Sequence, residues 1–230
     1  MFNLFRPVFK IMLTVCLAST ASPPEAAAGA CPGPRQVGEA TLPQILQFVQ
    51  EKQMVVLTFA GFSGAGYENP AAMIENASEI LRKQDPEKTL INIGATREGI
   101  GAVYEVAKAM GFTTMGIVSS LAQAERVALS PCVDYLFYVP DDSWGGRVRG
   151  GERLSPTSEA IVAVSSAFVG IGGGDVARDE LSAARKRGKP VVFIPADMNH
   201  GLAREKARKR GEPEPTDFRG SAHTGLAGGP

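Results

Sequence analysis

From Val55 to Pro195, short apolar runs alternate with stretches of helical spacing, and glycine turns join them. This alternation constrains the fold more than any other feature of the chain. Strands separated by helical segments of about ten to fifteen residues require right-handed βαβ crossovers and a parallel sheet. The clearest unit is Ala167–Ile171, an apolar run too short for a helix, which opens directly into Gly172-Gly173-Gly174. Helical spacing resumes at Val176, Ala177, Leu181 and Ala184, and Gly188 and Pro190 close it. A glycine turn between the carboxyl end of a strand and a helix start lets backbone N–H groups face an anion.

The same grammar repeats along the chain. Thr41 caps a helix with Leu42, Ile45, Leu46 and Val49 on one face. Strand Val55–Ala60 leads through Gly61–Gly66 to a helix with Asn69 as cap and Pro70 in its first turn. Strand Thr89–Ile93 leads through the turn Gly94–Gly101 to a helix bearing Val103, Val106, Ala107 and Met110. Strand Thr113–Val118, a short helix around Leu121–Leu129 and strand Val133–Val139 follow. Pro140–Leu154 reads as a polar, glycine-rich loop containing Trp144, and Ser155-Pro156 starts a helix through Val164. Val191–Pro195 is the last strand. The expected fold class is α/β: a Rossmann-like parallel sheet of about six strands with helices on both faces. Ligands bind such sheets at the carboxyl ends of the strands. Three glycine turns occupy that edge, Gly61–Gly66, Gly94–Gly101 and Gly172–Gly174, and together they point to a phosphate-bearing ligand.

The ends of the chain read differently. In residues 1–30, Arg6 and Lys10 precede the uncharged stretch Ile11–Ser22 and a small-residue region around Ala26–Ala30, the layout of a secretory signal peptide. Its apolar part falls short of the about 20 residues of a membrane span. The expected product is an exported protein, periplasmic or secreted. Residues 31–40 read as a flexible leader, 41–200 as the folded domain and 201–230 as a disordered tail. Past the signal segment two cysteines remain, Cys31 and Cys132. They allow either one disulfide or a buried Cys132 with an unpaired Cys31.

With 24 basic and 24 acidic residues, the chain offers no electrostatic attraction to nucleic acid or anionic membrane. Membrane contact is expected only through the signal segment. The two histidines, His200 and His223, argue against a multi-histidine zinc centre or a histidine-based triad. No metal and no cofactor are expected. The expected partner is a small nucleotide-like molecule, and a homodimer stays open.

Between Val55 and Asn199 the order of elements and turns resembles the LOG ("lonely guy") family, formerly described as lysine decarboxylases. In that family a strand ends in P-G-G-x-G-T-x-x-E. Here Gly172-Gly173-Gly174-Asp175-Val176-Ala177-Arg178-Asp179-Glu180 keeps the length, the central Gly pair and the final glutamate. Val176-Ala177 replaces the Gly-Thr step, and Thr157-Ser158-Glu159 stands where the family helix carries an arginine. Gly94–Val103 resembles the family's earlier glycine turn, with Arg97-Glu98 inserted in it. The resemblance implies a nucleotide site. In the enzyme branch it implies hydrolysis of the N-glycosidic bond of nucleoside 5′-monophosphates.

On that basis Glu180 is the candidate catalytic carboxylate, able to stabilise an oxocarbenium-like state or activate a water. The competing reading has Asp175, Asp179 and Glu180 merely complementing a positive helix start. Candidate ligand and phosphate contacts are Ser63, Gly64 and Gly66 in the first turn, Thr96, Arg97 and Gly99 in the second, and Gly172, Gly173 and Gly174. Arg97 either forks onto a phosphate or pairs with Glu98. Trp144 is placed to stack on a base or to cap a core, and Asp197, Asn199 and His200 follow the last strand toward the same edge. The first functional expectation is binding of a nucleotide or nucleotide-derived phosphorylated small molecule. Its alternatives are a phosphoribohydrolase-type hydrolase using Glu180 and a non-catalytic interaction protein with a vestigial pocket.

Overall fold

Seven parallel strands form one sheet in a computed structural model that describes residues 31–149 and 151–226. The strands are β1 (Gln36–Glu39), β2 (Val55–Gly61), β3 (Thr89–Asn92), β4 (Thr113–Ser119), β5 (Tyr135–Val139), β6 (Ala167–Ile171) and β7 (Val191–Ile194). Their spatial order is β1-β5-β4-β3-β2-β6-β7. From β2 the chain builds outward through β3, β4 and β5, then crosses back to lay β6 and β7 on the other side of β2. The carboxyl ends of β2 and β6 therefore flank a topological switch point of the Rossmann-like kind.

Strands β2 to β7 alternate their side chains between two apolar layers. Leu57, Phe59, Ile91, Ile93, Val169 and Ile171 meet one helical layer. It consists of α2 (Pro70–Leu81) and α3 (Val103–Ala109), the latter entered through a tight turn at Gly99–Ala102. Val56, Ala60, Leu90, Met115, Ile117 and Phe168 meet the other. That layer consists of α1 (Leu42–Lys52), α5 (Pro156–Val164), α6 (Asp175–Lys186) and the C-terminal α8 (Gly220–Leu226). Short capping signals set the helix starts: Asn69 accepts from the Ala72 amide (2.9 Å) and Ser155 from the Ser158 amide (3.4 Å). Pro70 and Pro156 occupy first-turn positions.

Three expectations are corrected. The sheet has seven strands rather than about six, because β1 lies inside the segment 31–40 read as a flexible leader. Gln-Val-Gly-Glu is an exposed edge strand without an apolar face, and its order comes from elsewhere. It is held by register with Tyr135–Tyr138, by the Arg35 and Gln36 amides donating to the Asp134 carbonyl (2.8 and 3.2 Å), and by a Cys31–Cys132 disulfide. The tail read as disordered carries α7 (His200–Arg210) and α8, which pack on the domain through Ala203, Ala207, Phe218, Ala222 and Leu226. The helix expected around 121–129 is the shorter α4 (Ser120–Ala124). Arg126 turns left-handed there (φ 53°), which frees Val127–Leu129 to line the cleft described below. The signal peptide expected over 1–30 lies outside the described residues. No helix among those described is long and apolar enough to cross a membrane.

Candidate functional site

A cleft of about 720 Å³ opens at the carboxyl ends of β2, β3 and β4, beside the switch point. Strand residues Thr58–Gly61, Ile93 and Val118 form its floor. The turns leading into α2 and α3 supply Ser63, Gly64, Thr96, Arg97 and Glu98 on one side. The loop after β5 and helices α5 and α6 supply Trp144, Thr157, Ile161, Val176, Ala177 and Glu180 on the other. Trp144 is 50% exposed, so its ring is free at the mouth rather than capping a core.

Two buried tyrosines fix the floor. Tyr67 donates its hydroxyl to the Ile171 carbonyl (2.7 Å) and accepts from the Phe62 amide (3.1 Å), tying β2 to β6. Tyr104 donates to the Met115 carbonyl (2.7 Å) and accepts from the Ile93 amide (2.8 Å), tying β3 to β4. Burial pushes both phenols above the ordinary tyrosine range, so they stay neutral donors.

Glu180 is 6% exposed, on the inward face of α6 one turn beyond Ala177. Its Oε1 accepts from the Ser158 hydroxyl at 2.6 Å, and that hydroxyl in turn accepts from the Gly146 amide at 2.7 Å. Because the Gly146 N–H donates to it, the Ser158 proton is directed onto Glu180. Burial is the main cause that pushes the Glu180 carboxyl up to about 7; the Ser158 bond opposes the rise and the Asp179 charge adds to it. Asp179 is engaged elsewhere, with Arg178 (2.9 Å) and the Arg147 amide (3.0 Å). Asp141 orders the preceding loop by accepting from the Thr157 amide (2.9 Å) and from Ser143. Against the upward push of burial, these bonds hold its carboxyl below the usual range. Nearby, Thr58 Oγ1 accepts from Asn92 Nδ2 (3.1 Å) and bonds Ser165 Oγ (2.5 Å), while Thr157 Oγ1 is buried with no hydrogen-bond partner among the described residues.

The sequence-selected residues divide. Glu180, Ser63, Gly64, Thr96, Arg97 and Trp144 meet in this one cleft. Gly66, Gly99, Gly172, Gly173 and Gly174 are not on its walls. The first two glycines of the triplet are filled in, while Gly174 faces open space: Gly173 has φ +130°, and a Cβ there would lie 2.6 Å from the Ala177 Cβ and 3.4 Å from the Ala222 Cβ. The Ala222 amide donates to the Gly173 carbonyl (3.0 Å), so α8 covers the turn. Gly99, left-handed at φ +59°, lets the second turn pass beneath the first, where the Ile100 amide meets the Phe62 carbonyl (2.7 Å). Arg97 is exposed and makes no ion pair with Glu98. Asn199 caps α7, and His200 contacts Asp197 (3.1 Å) and Glu68, away from the cleft walls. Sequence reasoning missed Ser158 as the partner of Glu180, although it stands at the departure from the family's arginine helix. Among the described residues no group of three or more His, Cys, Asp or Glu is arranged to hold a metal ion.

No protein-family model matches the chain, and no curated protein matches it. Among solved structures it is similar to the molybdenum cofactor carrier protein from Chlamydomonas reinhardtii, at 19% identity and TM-score 0.44, covering 61% of this chain and 76% of that one. It is also similar to DNA processing protein A from Streptococcus pneumoniae, at 13% identity and TM-score 0.44, covering 77% of this chain and 62% of that one. The Rossmann-like assignment rests on the strand order and switch point of this chain.

Proposed function

We propose that this protein binds a nucleotide or nucleotide-derived phosphorylated small molecule in the cleft beside the β2–β6 switch point. One observation carries the reading: a single cleft at the strand carboxyl ends joins two turns bearing Ser63, Gly64, Thr96 and Arg97 to a wall bearing Trp144, Ile161, Val176 and Glu180. The first set suits an anionic group and the second a planar, mostly apolar one. Glu180 supplies a hydrogen bond for a sugar between them. The phosphate is assigned to the first two turns rather than to the glycine triplet that α8 covers. The disulfide supports action in an oxidising, extracytoplasmic compartment.

Thermal-shift titration with AMP, GMP, CMP and UMP tests this. At a concentration a hundredfold above Kd, a ligand adds about 2.7 kcal/mol, which for a domain of this size raises Tm by roughly 5–10 °C. Arg97→Ala is expected to leave the unliganded Tm unchanged, because the side chain is exposed. It is expected to weaken binding roughly ten- to hundredfold through loss of a charged hydrogen bond. Unchanged melting across the panel refutes the reading.

The second reading, an N-glycosidic hydrolase, is favoured by the state of Glu180. A carboxyl raised to about 7 at a cleft wall, with its orientation set by Ser158, suits proton transfer near neutral pH. In this reading Glu180 takes a proton from the water that attacks the sugar C1′, the C1′–N bond breaks with its electron pair on the base, and the departing base takes up a proton as Glu180 gives its own back to solvent. Release of ribose 5-phosphate that Glu180→Gln abolishes would establish it.

A further inference from the structure

Lys206 belongs to the segment that the sequence reads as a disordered tail, yet the fold brings it against the Ser63–Gly64 turn that lines the cleft, although Lys206 is not itself on the cleft walls. It lies in the middle of α7, and its Nζ donates to the Gly64 carbonyl at 2.9 Å. Gly64 lines the cleft, as do Gly61 and Ser63 of the same turn. The approach is fixed along the whole helix start. Tyr67 bridges Met198, the Glu68 amide donates to the Asp197 carbonyl (3.1 Å), and the His200 amide donates to Glu68 Oε2 (2.8 Å). The Asn199 amide donates to the Gly66 carbonyl (3.3 Å), and buried Ala203 and Ala207 seat the helix on the domain.

Three of the other four cations of α7 have a carboxylate partner among the described residues, and Arg210 has none. Arg204 and Arg208 approach Glu214 at 3.9 and 4.0 Å, and Lys209 pairs with Glu205 at 2.6 Å. No carboxylate among the described residues pairs with Lys206. An ammonium has three donors, and one carbonyl uses one of them. Two N–H donors and an uncompensated positive charge therefore remain beside the Ser63–Gly64 turn. On the facing turn Arg97 is likewise without an ion pair among the described residues. Glu98 and Glu180 are the carboxylates on the cleft walls, and neither lies on the Ser63–Gly64 turn.

We infer that Lys206 is a ligand-binding residue of the cleft and holds the phosphate of the ligand against the Ser63–Gly64 turn. This rests on the nucleotide reading above and adds to it a residue and a direction: the anionic end of the ligand points toward α7. An ammonium acts on a phosphate as a point charge with rotatable donors, so the contact selects for charge rather than for a particular phosphate geometry.

The test is calorimetric titration of AMP and adenosine into the wild-type chain, Lys206→Ala, Lys206→Met and Lys209→Ala in one buffer of fixed ionic strength. Lys206→Met keeps the apolar stem, and Lys209→Ala removes an equal charge from the same helix away from the cleft. The expected result is a wild-type preference for AMP over adenosine that both Lys206 variants reduce roughly tenfold, with adenosine affinity unchanged. Lys209→Ala retains the preference. Preference surviving both Lys206 substitutions, or falling equally in Lys209→Ala, overturns the inference and leaves the nucleotide reading standing. Wild-type protein that binds both alike overturns the inference, and wild-type protein that binds neither, nor any other of the four monophosphates, overturns both. The Tm of each Lys206 variant is expected to match that of the wild type, because the side chain is exposed.

Discussion

Burial gives Glu180 a proton affinity that an exposed carboxyl lacks, and this has a measurable cost. The unfolded side chain loses its proton near 4.5, the folded one near 7. Stability from this residue is therefore complete below about pH 4.5 and declines as pH rises to about 7, by roughly 3 kcal/mol in all. Glu180→Gln keeps an oxygen for the Ser158 hydroxyl and carries no charge at any pH. Melting followed from pH 4 to 8 should slope downward in the wild type and lose most of that slope in the variant, which becomes the more stable protein at pH 8. An unchanged slope would place the titrating group elsewhere. Glu180 was legible because it closes the stretch from Gly172 that resembles the family motif, and in the fold it falls beside the inward stripe of α6 marked by Ala177, Leu181 and Ala184. Its partner was not. Ser158 meets it from 22 residues away, and only the fold brings α5 against α6.

At the scale of elements, the apolar strands and amphipathic helices declared themselves, and the three missed elements share a cause. β1, α7 and α8 have little apolar pattern of their own and are ordered by what they touch. Gly-Ser-Ala-His-Thr-Gly-Leu has poor helix propensity, yet Ala222 and Leu226 are buried against the α6 layer and Arg185 donates to the Leu226 carbonyl (3.2 Å). The same packing explains why the glycine triplet misled: nothing local to residues 172–174 announces that a helix nearly fifty positions later will cover them. Leu226→Ala should cost about 2 kcal/mol, near the low end for a buried leucine because a terminal helix relaxes easily. Chemical denaturation would give that value. Hydrogen exchange should show faster amide exchange at Gly173–Arg178 as α8 loosens; unchanged exchange there would mean that α8 does not shield the turn.

For the molecule as a whole, the disulfide closes a span of 101 residues between the first described residue and the lead into β5. Reduction, or Cys31→Ser, should cost on the order of 4–5 kcal/mol by the chain-entropy estimate. Tm should then fall by on the order of 10 °C, a shift that scanning calorimetry with and without reductant would resolve. Equal Tm values under both conditions would show that β1 holds the edge without its covalent tie. The tyrosine ties Tyr67 and Tyr104 carry a different consequence. They pin neighbouring strand ends from inside the core, so the floor of the cleft has its shape before any ligand arrives. Association then loses little conformational entropy in the protein, and selectivity falls to ligand shape and charge rather than to loop closure.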